Sequence, residues 1–141
     1  MPLFRGRVII CGSGCTLFTV PSYGPYATSK SAVSKYAEVI RHELTPYGIN
    51  VILIQPGSFD SGMQDTERLL EMMQSKWDCC DASLREEYGE RFIRRVKKFC
   101  KVFQQHGVSK DVKWVEDTYF NALVAKYPKP LYRIGWDTIL L

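Results

Sequence analysis

A chain of 141 residues with 45% hydrophobic and 24% charged side chains suits one globular domain and excludes a disordered segment. A net charge of only +4, with no zinc-finger spacing and no aromatic RNA-binding motif, gives no nucleic-acid partner. The five cysteines form no C-x-x-C pair and are odd in number, and His42 and His106 stand alone, so neither a disulfide framework nor a metal site is expected.

No apolar run approaches the length of a membrane-spanning helix, and the run behind Met1 to Arg7 is too short for a signal peptide. The odd, unpaired cysteines favour a reduced intracellular setting. The first element is the apolar run Val8 to Cys11, which suits a strand buried on both faces of a parallel sheet. Gly12-Ser13-Gly14 then turns the chain. A G-x-G-x-x-G fingerprint would need glycine at position 17, which is Leu17, so this turn is not read as a phosphate cradle.

Pro21, Ser22, Gly24 and Pro25 form a loop before a long helix. From about Tyr26 to Leu44, Ala32, Val33, Tyr36, Ala37, Val39, Ile40 and Leu44 follow helical spacing, and Pro46 and Gly48 end it. Asn50 to Gln55 is a second buried strand, which leads into Pro56-Gly57-Ser58-Phe59. Two such strands joined by a helix make a βαβ unit. Thr66 is expected to cap a helix to about Trp77, and Ser83 another. In the latter, Phe92, Val96, Phe99 and Phe103 form a core-facing stripe, with Arg91, Arg94, Arg95, Lys98 and Lys101 on a solvated outer face. Contact of this basic segment with a membrane or an acidic partner is the sharper alternative, diluted by Glu86, Glu87 and Glu90. Gly89 weakens the start of this helix. Ser109 is expected to cap a last helix to about Lys126, and Leu131 to Ile134 can form a short strand. The whole reads as one compact unit, or part of one.

Tyr26 and Lys30 sit four apart, on one face of the long helix. A cation beside a phenol favours the phenolate, which equips Tyr26 for proton exchange. Taken singly, the pair is an ordinary helix-surface contact, Ser13 an ordinary turn serine and Pro56-Gly57 an ordinary strand exit. Taken together and in order, the strand, the Ser13 turn, the Tyr26/Lys30 helix, the strand and the Pro-Gly loop resemble the short-chain dehydrogenase/reductase family. Glu43-Leu44, Gly48 to Val51, Gln55 to Phe59, Glu87-Tyr88-Gly89 and Pro128 to Trp136 resemble its 17β-hydroxysteroid, retinol and D-3-hydroxybutyrate dehydrogenase branch.

The resemblance implies an α/β fold: a partial Rossmann-like three-layer fold, with a parallel sheet, flanking helices and the N-terminal half of the fold absent. Residues 1–141 would be the C-terminal catalytic part, with 61–108 as substrate-covering helices. It implies NAD- or NADP-dependent hydride transfer with an alcohol or ketone, either apolar, such as a steroid or retinoid, or a hydroxy acid. Ser13 would hold the substrate oxygen, Tyr26 would exchange its proton, and Lys30 would support Tyr26 and bind the cofactor ribose. Tyr26, Lys30, Pro56, Gly57, Ser58, Phe59 and Ser61 would contact the cofactor. Met63, Met72, Met73, Trp77 and Phe92 would line an apolar pocket, core packing being the plain alternative.

The family's Gly-rich dinucleotide turn and its Asn-Asn-Ala-Gly segment are not found in this sequence. The isolated chain is therefore expected to be inactive, to bind cofactor poorly and to aggregate through the bare edge of its first strand. The alternative is a non-catalytic interaction module that pairs with full-length relatives. The resemblance also implies a homo-oligomer for the full-length form. It leaves open membrane association through a segment not present here, and a location at the endoplasmic reticulum membrane, in the mitochondrion or in the cytoplasm.

Overall fold

The computed structural model describes residues 6–18, 23–61 and 65–139, apart from the side chain of His106. Pro21, Ser22 and Met63 of the sequence reading lie outside the described residues. In place of one compact unit there are two, Met1–Phe59 with Asp111–Leu141, and Asp60–Lys110.

The first unit is a three-layer α/β arrangement. Strand β1 (Gly6–Cys11), helix α1 (Gly24–Leu44) and strand β2 (Ile49–Pro56) follow in order. After the second unit come helix α4 (Lys113–Val124), strand β3 (Leu131–Ile134) and the short helix α5 (Trp136–Ile139). The sheet order is β1-β2-β3, and both pairings are parallel. Val51 to Gln55 are all buried, as a central parallel strand requires.

Residues along each strand alternate between the two faces. Val51 and Leu53 pack with Ala37 of α1, joined by Val8, Ile10, Ile40 and Leu44. Ile52 and Ile54 pack with Ala122 of α4, Phe59 and Ile134, joined by Ile9, Val115 and Tyr119. Two arginines tie the layers. Arg7 of β1 donates to the carbonyls of Ala122 and Ala125 at the C-terminal end of α4. Arg41 of α1 donates to the carbonyls of Val51 and Pro130, where β2 and β3 begin.

The helix α1 starts at Gly24, two residues earlier than expected, because Pro25 suits its first turn. Gly48, at φ 75, ends the 3-10 turn that follows it. The inward face of α1 is narrower than its apolar pattern implied. Ser34 and Ala37 are buried, whereas Tyr36 is 61% and Val39 47% exposed. Strand β1 is an edge strand and only half-buried.

The second unit is a helix pair, α2 (Thr66–Asp78) and α3 (Ala82–His106). Asp65, not Thr66, caps α2, its carboxylate accepting from Glu67 N and Arg68 N. Asp81, not Ser83, precedes α3. Gly89 bends α3 outright, at φ 69 and ψ 160. The backbone N–H of Asp60 donates to Ser109 O at 2.8 Å, closing the unit at its ends. Helix α4 of the first unit is preceded by Val112, not by the expected cap Ser109, and the Asp111 carboxylate accepts from Lys113 N.

Burial pushes the Tyr119 phenol up from its ordinary range, and the neighbouring Cys11 thiol adds to the effect. The raised native pKa means that the unfolded chain ionises first. Stability is therefore complete below about pH 10 and falls as pH climbs towards the native value. Urea unfolding followed across the alkaline range should show that fall, and Tyr119→Phe should flatten it; an unchanged alkaline slope would contradict the assignment.

Candidate active site

A parallel sheet sends every strand out at the same edge, so the loops after β1, β2 and β3 emerge together. The ladder continues past the strands. Gly12 N donates to Ile54 O at 2.7 Å, and Gly57 N donates to Ile134 O at 2.7 Å. The Ser13 turn follows immediately. Ser13 Oγ accepts from Cys15 N at 3.3 Å and caps the 3-10 turn Gly14–Thr16.

Gly14 lies against the Pro-Gly loop. A Cβ there would meet Gly57 Cα and Pro56 O at 3.3 Å and Thr138 Cγ2 at 2.2 Å. Only glycine permits that approach. Gly57 is similarly constrained, because a Cβ would come within 1.8 Å of Asp137 Oδ1. Asp137 Oδ2 in turn accepts from Ser58 N at 2.9 Å. Thr138 is buried and donates to Gly135 O at 2.8 Å. Gly135, at φ 108, turns the chain from β3 into α5 so that Asp137 can reach back.

From α1, the Lys30 ammonium donates to Cys11 O at 3.2 Å, two residues before Ser13. The same ammonium lies 5.9 Å from the centre of the Tyr26 ring. Tyr26 is exposed and meets Tyr23 edge to face at 6.1 Å. The structure thus brings Lys30 against both the end of β1 and the Tyr26 ring. It brings Ser13, Pro56, Gly57 and Ser58 to the same sheet edge. Phe59 is different: it is buried with Ile52, Ile54, Ala122 and Ile134, so its ring serves the core. Ser61 is exposed and belongs to the second unit.

In the second unit, Met72 is exposed, Trp77 is buried with its indole N–H on Glu90 Oε1, and Phe92 lies against Trp77. A cavity of about 410 Å³ in this unit is lined instead by polar groups, among them Asp60, Thr66, Glu67 and Lys101, with Leu70. Of the residues expected to line an apolar pocket, Met72, Met73, Trp77 and Phe92 are not on that wall. Among the described residues, no group of three or more His, Cys, Asp or Glu gathers where it could hold a metal.

The sequence reading missed two features. Asp137 braces the Pro-Gly loop from 79 residues away. Gln55, buried in β2, donates to Thr16 Oγ1 at 3.1 Å and Ser34 Oγ at 3.3 Å. Its signal was available: a polar residue ending an apolar strand needs buried partners. No local signal marks Asp137.

The family model for short chain dehydrogenases matches residues 3–71. Over those residues the chain matches this family. It is 33% identical to 17-beta-hydroxysteroid dehydrogenase type 6 of Rattus norvegicus over 139 residues, covering 96% of the chain and 42% of that relative. Against human retinol dehydrogenase 16 it is 33% identical over 138 residues, with 97% and 43% covered. Against 3beta-hydroxysteroid dehydrogenase dhs-16 of Caenorhabditis elegans it is 28% identical over 137 residues, with 97% and 35% covered. The chain spans about two fifths of the length of the curated relatives it matches. Short-chain dehydrogenases generally use NAD or NADP.

The contact between Gly57 and Asp137 gives a test. Gly57→Ala should cost about 1–3 kcal/mol by overpacking, and Asp137→Ala about 1.5–3 kcal/mol by removing a charged acceptor. Because the first clash is with the second side chain, the double variant should cost less than the sum in denaturant titrations. Simple additivity would show that the two do not touch.

Proposed function

We propose that this chain is the catalytic portion of an NAD(P)-dependent oxidoreductase that interconverts an alcohol and a ketone or aldehyde. One observation carries the reading: the Lys30 ammonium of α1 reaches the carbonyl of Cys11, beside the Ser13 turn and over the Tyr26 ring. A hydroxyl, a phenol and a fixed cation at the carboxyl ends of parallel strands are what reversible protonation of a carbonyl oxygen needs.

The Ser13 hydroxyl holds the substrate oxygen. The Tyr26 phenol gives that oxygen its proton in reduction and takes it back in oxidation. The Lys30 ammonium stabilises the phenolate left behind, and its anchor on Cys11 O sets its position. Pro56, Gly57 and Ser58, in a loop braced by Asp137, would contact the nicotinamide, and Lys30 would bind its ribose. The nicotinamide, when bound, supplies or accepts the hydride. A steroid, a retinoid or a hydroxy acid is the proposed substrate class; the names of the relatives favour the first two.

Among the described residues, no glycine-rich turn opens onto a helix to seat a pyrophosphate; the Gly12–Gly14 turn enters a 3-10 turn instead. The isolated chain is therefore proposed to be inactive. A second reading, association with a full-length relative, is favoured by the exposure of Tyr36 and Val39 on α1 and by the free edge of β1.

A chimera tests the first reading. The chain should be joined behind the preceding portion of the rat relative and assayed for nicotinamide reduction with a hydroxysteroid and with retinol. Turnover is expected, and Tyr26→Phe should lower it by roughly 100- to 10,000-fold while leaving cofactor affinity unchanged. Retained turnover in that variant would remove Tyr26 from the chemistry. Heat on mixing the isolated chain with NADH or NADPH would contradict its proposed inability to bind.

A further inference from the structure

We propose that the outward face of α3 beyond Gly89 docks on the surface of an anionic lipid bilayer. The bend at Gly89 separates the last part of α3 from Glu86 and Glu87. That last part has two faces. One face is turned in: Ile93 is buried, and Val96, Cys100 and Phe103 are half-buried. Cys100 Sγ lies 4.0 Å from Met73 Sδ of α2, and Lys97 donates to Gln74 Oε1 of the same helix.

The sequence pattern put Phe92 and Phe99 on this inner stripe. The structure does not. Phe92 is 41%, Phe99 53% and Val102 48% exposed. Helical spacing sets Phe99 and Val102 on one outward line with Arg95, flanked by Arg91 and Lys98, while Phe92 at its edge still lies against Trp77.

The charge is concentrated here. Residues 91–101 carry six cations and no acid, so the rest of the chain sums to +4 − 6 = −2. Among the described residues, Arg91, Arg95, Lys98 and Lys101 make no ion pair, and the Glu90 carboxylate is engaged by Trp77 Nε1. Apolar rings among unpaired cations match both layers of an anionic bilayer surface, acyl chain and headgroup. The whole stripe comes from one helix. It is a ridge, which lipid accommodates without the matching groove a protein partner would need. No helix among the described residues is long and apolar enough to cross a membrane, so this contact lies along the surface.

Vesicle flotation tests the proposal and separates lipid binding from aggregation, because aggregates sink. The chain should float with phosphatidylcholine vesicles containing phosphatidylserine, and not with phosphatidylcholine alone. Added salt should release it. Arg95→Glu with Lys98→Glu should weaken partitioning roughly tenfold or more, as should Phe99→Ser with Val102→Ser. Lys126→Glu, outside this face, should leave it unchanged. Unaltered helicity by circular dichroism must accompany each loss. Equal flotation with neutral vesicles, no flotation with anionic ones, or unaltered binding in either double variant would overturn the proposal. Binding to polyglutamate without flotation would overturn it in favour of an acidic macromolecule.

Discussion

The central strand is the constraint on which everything else in the first unit depends. Five consecutive residues of β2, Val51 to Gln55, are shut away from water, and a strand buried on both faces must have a neighbour on each side and a layer above and below. Parallel pairing with β1 and β3 meets the first need, and α1 and α4 meet the second. A consequence follows for chemistry. Parallel strands leave their last carbonyls and their loops at one edge, so residues far apart in sequence arrive together without any long loop having to carry them.

That edge is held by polar contacts rather than by bulk. The glycines at 14 and 57 let two loops touch backbone to backbone, and Asp137 occupies the space that a side chain at 57 would have taken. Gln55 links the Thr16 turn to Ser34 of α1 from inside the sheet, and Lys30 links α1 to the last carbonyl of β1. The Ser13 turn is therefore fixed to both the strand and the helix that present the phenol and the ammonium. In the proposed reaction, a rigid frame of this kind would cost little to organise, since the polar groups are already oriented.

Much of this was legible in the sequence, for a physical reason. Unbroken apolar runs of four or more residues, Val8 to Cys11 and Val51 to Ile54, have few homes other than a buried strand, and both are strands. Gly48 and Gly89 sit where the backbone takes positive φ. What the pattern could not give is what covers each face. Helical periodicity places Tyr36, Val39, Phe92 and Phe99 on apolar stripes, but all four are exposed, because spacing names a stripe and not its partner. The caps were missed by one to three residues: at α2 the Asp65 carboxylate takes the free N–H groups in place of the Thr66 hydroxyl, while Asp81 and Val112 precede α3 and α4 without a side-chain capping bond. The role of Asp137 depends on tertiary approach alone, and Phe59 reads as loop in sequence while serving as core in space.

The convergence of the strand-end loops can be measured directly by nuclear Overhauser spectroscopy on the isotopically labelled chain. Gly14 should show cross-peaks to Gly57 and to the Thr138 methyl, alongside the parallel β1–β2 pattern that sets Ile10 opposite Leu53. A spectrum with the β1–β2 pattern intact but no cross-peak from Gly14 to either residue would show that the loops do not meet, and the proposed site would lose its frame.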